Sequence, residues 1–314
     1  MGAYPFRDVR AIPISGHVTS FFSVLPRRRQ PPRVLDYRHY VENLSRRCAA
    51  TLLIAPEPDD ILFELCRRVE TSGGTLLSSD SSSVQICADK LKVTAVLEDA
   101  GVRTVPARQL SWDYASPLET SGHCLQFPLV IKPRDGAGSQ DNHLVRDWRE
   151  FERLRFFLGS RTFIMQPYVT GRPVSVALLI PESGGQPTAF PVAEQLLSDD
   201  GRFFYRGGTI PARGVDHPAI QAAAVAACRC VPGLRGYVGV DLIVPGDEPA
   251  RPVVVEINPR LTTSYLGYRA LSLDNLAERM LPGRMHNPIE WRTGEVQFDP
   301  AGNIEVPPAR PGSN

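Results

Sequence analysis

Two stretches in the last third of the chain hold the side chains best suited to chemistry: GVDLIV at 239–244 and VVVEINPR at 253–260. Side chains along a strand alternate between faces, so Glu256 and Asn258, two positions apart, project together. The two stretches flank a turn at Pro245–Pro249, the pattern of an antiparallel hairpin, and such pairing brings Asp241 to the same face. Two carboxylates and an amide oxygen make a hard-oxygen set of the kind magnesium takes, with substrate phosphates completing the coordination. Acids among apolar neighbours are costly unless a cation compensates. Spacing alone leaves a second reading open, in which these side chains face solvent and bind nothing.

A second group lies upstream. Lys132 ends the apolar run FPLVIKP and precedes the loop DGAGSQ, which carries Gly136, Gly138 and Ser139. Small residues let backbone N–H groups approach phosphate oxygens, and an ammonium adds a point charge. The loop is neither G-x-x-x-x-G-K-[ST] nor G-x-G-x-x-G, so alone it reads first as a plain turn. Lys90 alone reads as a solvated surface residue and gains meaning only in this company.

Positioning these residues requires a run of strands and helices. TLLIAP at 51–56 reads as a buried strand. A helix follows with Ile61, Leu62, Leu65 and Val69 on its apolar face, capped by Asp59 or Asp60 and stopped at Gly73-Gly74. Strand then helix is the unit of a parallel sheet. Helices are predicted over 88–101, 146–158 and 218–230, and strands over 127–133, 162–169 and 172–180. Extended chain is expected on both sides of Asp200-Gly201. A late helix at LDNLAERML precedes a small hairpin, GEVQF-DPAGN-IEV, and a loose end. Residues 1–35 show no clean alternation. The domains expected are an N-terminal lobe over 1–87, a main domain over 88–281 and a C-terminal hairpin and tail over 282–314. The main domain divides into a small lobe, about 105–170, and a large lobe, about 171–281.

Composition narrows the classes. A chain of 314 residues with 42% hydrophobic and 22% charged residues is an ordinary globular one of two or three lobes. The net charge of +1 gives no field that would steer it to nucleic acid or membrane, and Arg27-Arg28-Arg29 reads as a solvated loop. No apolar stretch approaches the roughly 20 residues of a membrane span. Cys48, Cys66, Cys87, Cys124, Cys228 and Cys230 are scattered without a C-x-x-C pair, which points to reduced thiols and a cytoplasmic setting. His17, His123, His143 and His217 show no convergent pattern.

In order along the chain, these pieces resemble the ATP-grasp superfamily. The matching segments are DK at 89–90, VIKPRDGAGS at 130–139, MQPYVTGRPVSV at 165–176, GVDLIV at 239–244 and VEINPRLTTS at 255–264. Within that superfamily the chain looks most similar to the tyramine–L-glutamate ligases of methanofuran biosynthesis. That likeness rests on IAPEPDDILFELC at 54–66, SSDSSSVQICADKLK at 78–92, YRGGTIPAR at 205–213 and EINPRLTTSYLGYR at 256–269. The resemblance implies an α/β architecture of α+β lobes, the ATP-grasp fold, behind an N-terminal pre-ATP-grasp lobe. It implies ATP and Mg2+, which Mn2+ can replace, with Asp241, Glu256 and Asn258 as metal ligands. Lys90, Lys132, Gly136, Gly138 and Ser139 would meet the phosphates. Gln166, Pro167, Tyr168 and Val169 would form the adenine hinge, and Arg260 would face the transferred phosphoryl group. Tyr205, Gly207, Gly208, Ser264 and Tyr265 would line the substrate side.

The implied reaction is ATP-dependent ligation of a small-molecule acid to an amine through an acyl phosphate. Glutamate with tyramine, tyrosine or a similar amine is the expected pair, without nucleic-acid or membrane partners, and a homodimer is compatible with it. Two departures stand out. Pro173 replaces the glutamate that many such hinges carry for ribose, and Gly239 replaces the arginine that D-alanine ligases place two residues before the metal-binding aspartate. Two alternatives remain: another ATP-grasp amino-acid ligase or carbamoyl-phosphate-like enzyme, and a nucleotide-binding protein whose ligase site has decayed.

Overall fold

A computed structural model describes residues 37–110, 119–120, 123–124, 126–136, 139–158, 161–182, 185–281, 283 and 288–306. The irregular first 35 residues, Gly138 and the end of the tail lie outside the described residues.

The N-terminal part is helical. It comprises α1 (Tyr37–Ser45), α2 (Ile61–Thr71) and α3 (Ser81–Ala88), and α4 (Lys90–Asp99) follows at once. The apolar face of α2 packs as expected, with Leu62, Leu65 and Val69 in one cluster with Leu53, Leu76 and Val84. Two expectations fail here. TLLIAP makes only a single parallel bridge, Thr51 to Leu76, and no parallel sheet forms among the described residues. Asp60 sits at the start of α2 in a left-handed conformation and makes no side-chain capping bond. Asp80 does cap α3, accepting from the Ser83 amide, a helix the apolar spacing did not announce.

The small lobe is a four-stranded antiparallel sheet, ordered β1-β6-β4-β5. Its strands are β1 (Arg108–Gln109), β4 (Leu129–Pro133), β5 (His143–Val145) and β6 (Phe163–Pro167). A short hairpin of β2 (Glu119–Thr120) and β3 (His123–Cys124) stands apart, and α5 (Trp148–Arg155) lies beside β5. Asp147 caps α5 by accepting from the Glu150 amide.

The large lobe is an eight-stranded sheet. It comprises β7 (Gly171–Ile180), β8 (Thr188–Ala189), β9 (Ala193–Leu197), β10 (Tyr205–Ile210), β11 (Gly236–Pro245), β12 (Val253–Asn258), β13 (Val296–Phe298) and β14 (Ile304–Glu305). The order is β12-β11-β7-β9-β10-β13-β14, with β8 on β7, and every pairing is antiparallel. The helix α6 (His217–Arg229) covers one face. Its Ile220, Ala224 and Ala227, together with Val93 and Leu97 of α4, meet Val174, Val176, Val238, Val240 and Leu242. The opposite face packs Tyr237, Phe190, Ile210 and Phe298 against α7 (Tyr265–Leu271). The late helix is only one turn, α8 (Leu276–Arg279).

This two-sided burial sets the register that positions the acids. Val240 and Ile257 face α6 and Asp241 and Glu256 face away, so a slip by one residue would exchange them. Exposing two fully buried aliphatic side chains costs about 1.5–3 kcal/mol each, before any cost of burying the acids. No helix among the described residues is long and apolar enough to cross a membrane.

Candidate active site

The hairpin of β11 and β12 places Asp241 directly opposite Glu256 and Gly239 opposite Asn258, on one face of the sheet. A bulge between Asp241 and Leu242 shifts the pairing just past the acids. Bulges re-aim side chains in this way beside functional groups. Asp241 is held from both sides: Gln195 of β9 donates to its Oδ1 at 2.8 Å, and Asn258 donates to its Oδ2 at 2.9 Å. Gly239 has a packing reason. A Cβ there would lie 2.6 Å from Thr262 Cγ2, so Thr262 occupies the space an arginine would need.

Lys132 arrives from β4 of the small lobe and Lys90 from the start of α4, which packs on the large sheet, and the DK pair explains Lys90. Asp89 caps α4, accepting from the amides of Leu91 at 3.1 Å and Lys92 at 3.3 Å. The same carboxylate takes a two-pronged bond from Arg134 at 2.8 and 2.6 Å. Arg134 lies two residues beyond Lys132, so Asp89 ties the start of α4 to the glycine loop. Lys90 is thereby swung inward. Its Nζ donates to the carbonyl of Gly136 and lies 3.5 Å from Glu256 Oε1. Lys90 and Lys132 are both buried. The lysine-bearing loop and the acid hairpin thus face each other across the cleft.

The electrostatics show a site with interdependent charges. Burial pushes Lys132 down to about 8, against the pull of Glu256 and Asp241. Burial and the neighbouring Glu256 push Asp241 up to about 7. Burial alone would raise Glu256, yet Lys90, Lys132 and Arg260 outweigh it and hold it below the usual range. Two acids side by side in a dry setting divide in this way, the one nearer the cationic side chains keeping its charge.

Arg260 follows Asn258 by two residues and is clamped by Glu57 of the N-terminal part, Nε to Oε1 at 2.7 Å and Nη2 to Oε2 at 3.0 Å. Neither Glu57 nor Gln195 was found from the sequence. Glu57 lies 203 positions from Arg260, and no local spacing encodes such a pairing.

At the crossing from β6 to β7, Gln166 is buried and donates to the Val105 carbonyl at 2.9 Å. The Tyr168 amide donates to Pro128 O at 2.9 Å, and Tyr168 stacks on Phe203 with centroids 6.0 Å apart. Pro167, Tyr168 and Val169 are half-buried. Pro173 stands inside β7 opposite Ile243. Ser139 closes the far side of the glycine loop with φ 59°.

The residues expected on the substrate side divide. Tyr205 is half-buried and near enough to Asp241 for their charges to interact. Gly207, at φ 128°, and Gly208 are demanded by packing: a Cβ would meet Phe298 O at 2.1 Å in the first and Glu194 O at 2.4 Å in the second. Ser264 is buried and bonded to Thr262 at 2.8 Å. Tyr265 is buried against Tyr237, edge to face at 5.8 Å, so its ring belongs to the core and not to a cleft wall.

A family profile described as "ATP-grasp domain" matches residues 87–264, more than half of the chain. The chain belongs to the ATP-grasp family. A second profile, "pre ATP-grasp 3 domain", matches residues 28–84. The curated relatives this chain resembles are named as ligases. It is 26% identical over 247 residues to a tyramine–L-glutamate ligase of Methanocaldococcus fervens, covering 79% of this chain and 70% of that protein. The ligase of the same name from Methanocaldococcus jannaschii is 24% identical, over 79% of this chain and 66% of the relative. This chain therefore spans about two thirds of the length of these relatives. A D-alanine–D-alanine ligase from Leptospira biflexa is 25% identical over 65% of this chain and 60% of its own length. Among solved structures, an ATP-grasp superfamily protein from Archaeoglobus fulgidus superposes with TM-score 0.61 at 25% identity, covering 83% of this chain and 72% of the other. The N5-carboxyaminoimidazole synthetase of Staphylococcus aureus, solved with ADP, shares the fold alone, with TM-score 0.68 at 17% identity over 83% of this chain and 68% of that one.

Proposed function

We propose that this ATP-grasp chain activates a carboxylate as an acyl phosphate and passes it to an amine, joining glutamate to tyramine, tyrosine or a related amine. The observation that carries the reading is Lys90, whose ammonium spans from the Gly136 carbonyl to Glu256 and so links the glycine loop with the acid pair. Lys90 and Lys132 are the groups available to phosphate oxygens. The Pro167 carbonyl and the Val169 amide offer the acceptor and donor that an adenine edge needs.

The acid pair suits a divalent cation. Among the described residues no three His, Cys, Asp or Glu side chains converge on a metal position. The donor set is therefore two carboxylates and one amide, too few for a closed protein cage and suited to Mg2+ that shares phosphate oxygens. Asn258 meets Asp241 through its nitrogen, so liganding through its oxygen requires the amide to turn over. Bound there, magnesium would draw charge from the phosphate oxygens as the γ-phosphoryl group transfers.

The chain's own residues do the rest. A substrate carboxylate attacks the γ-phosphorus in line and ADP leaves, a reaction governed by positioning and charge stabilisation. Lys90, Lys132 and Arg260 offset charge spread over the transferred group. The amine then attacks the acyl carbon, phosphate leaves, and an amide remains.

The test is ADP and phosphate release with glutamate plus tyramine against glutamate plus tyrosine, for wild type and Glu256→Ala. Release should require both acid and amine. Loss of Glu256 should raise the barrier by about 3–5 kcal/mol, as for other electrostatic groups at transferring centres. Absence of nucleotide binding by calorimetry would sink the reading.

A further inference from the structure

Arg260 is oriented by a residue outside the ATP-grasp domain. Its Nε and Nη2 donate to the two oxygens of Glu57, and its Nη1 donates to the Leu261 carbonyl at 3.3 Å. A guanidinium has five N–H groups. Three are engaged, and one remains on each terminal nitrogen. Both leftover N–H groups can donate to oxygens of a phosphoryl or carboxyl group. The pair is not a surface ornament. The Glu57 side chain is 8% exposed and that of Arg260 19% exposed. Truncating one partner of a pair this buried leaves an uncompensated charge.

Glu57 lies between the Thr51 bridge and α2, within the segment matched by the pre-ATP-grasp profile. The lobe that precedes the nucleotide-binding domain thus reaches Arg260 with the carboxylate of Glu57.

We propose that Glu57 is a positioning residue, through which the N-terminal lobe holds the Arg260 guanidinium by its side edge and turns the two remaining N–H groups toward the transferred phosphoryl group. The proposal rests on the ligase reading above. It differs from a plain structural clamp in what it predicts: loss of Glu57 slows phosphoryl transfer and leaves ATP binding intact, because Arg260 acts after the nucleotide is seated.

The test compares wild type, Glu57→Gln, Arg260→Lys and the double variant. Turnover is followed as ADP release with MgATP, glutamate and tyramine, and ATP affinity is measured by calorimetry. Glu57→Gln should lower kcat at least tenfold and change the ATP Kd less than twofold. Arg260→Lys and the double variant should agree within twofold, since Glu57 acts only through Arg260. If Glu57→Gln fails to fold, Glu57→Asp, which keeps the charge but cannot reach both nitrogens, takes its place. A substrate-independent readout is the Arg260 Nε–H resonance, assigned by its loss in Arg260→Lys. It should be protected from exchange at pH 7 in wild type and lose that protection in Glu57→Gln. An active wild type matched by Glu57→Gln in kcat, or an unchanged resonance, overturns the proposal. A wild type that forms no ADP from any acid–amine pair overturns the ligase reading, and the purpose given to Glu57 with it.

Discussion

Lys132→Met should stabilise the ligand-free protein while weakening its hold on ATP. Burial drives the folded-state pKa of Lys132 from its ordinary value near 10.5 to about 8. Each unit of pKa is 1.36 kcal/mol, so keeping this ammonium charged inside the fold costs about 3 kcal/mol at neutral pH. The folded value lies below the unfolded one. Between pH 8 and 10.5 the unfolded chain therefore binds the extra proton, and wild-type stability rises with pH. The penalty is full below pH 8 and gone above 10.5. Methionine has nearly the same reach and no charge, so the penalty disappears at every pH. At the average unfolding entropy per residue, about 3 kcal/mol on a chain of this length corresponds to about 5 °C in Tm. The assay is thermal unfolding of both proteins from pH 7 to pH 10, with and without MgATP. Lys132→Met should melt about 5 °C higher at pH 7, and the gap should close as the pH approaches 10. MgATP should raise the wild-type Tm more than that of the variant. A variant that melts lower than wild type at pH 7, or a gap that does not change with pH, would refute the reasoning.

Two further outcomes follow from contacts around the site. Gln195→Ala removes the donor on Asp241 Oδ1. It should raise the Mg2+ concentration needed for half-maximal ADP formation by about tenfold, the lower end of what loss of an outer partner does to a metal site. Gly207→Ala forces a Cβ onto the Phe298 carbonyl at φ 128°. It should cost about 3 kcal/mol of stability, read as a lower melting temperature, and should separate β13 from β10.

The sequence made the acid hairpin legible because two local rules suffice there: period-two alternation and a turn rich in proline and glycine. Asp241, Glu256 and Asn258 come together through neighbouring strands, and the pairing follows from the apolar residues between them. Lys90 was legible only by resemblance, because what aims it is the Asp89–Arg134 bond, a contact across 45 positions. TLLIAP misled because an apolar run looks the same whether it pairs as a strand or packs beneath helices, and here Leu53 packs with Leu62 and Leu76. Tyr265 misled for the opposite reason. It follows the metal strand in sequence, but the helical turn that begins there carries its ring into the aromatic core. Glu57 stands in the matching segment IAPEPDDILFELC, but nothing local ties it to Arg260, 203 positions away, and Gln195 carried no local signal.

The buried amide of Gln166 has a mechanical consequence. The backbone runs between the two sheets twice near this point, once from Val105 toward β1 and once from β6 into β7. At the first passage the Val105 amide is already bonded to Val254 O of the large sheet, at 3.3 Å. At the second, Gln166 reaches across to the Val105 carbonyl. A plate hung from two adjacent, cross-tied pins can swing but resists twisting. Opening and shutting should therefore follow one arc, which returns Lys132 to the same place over the acids on every stroke.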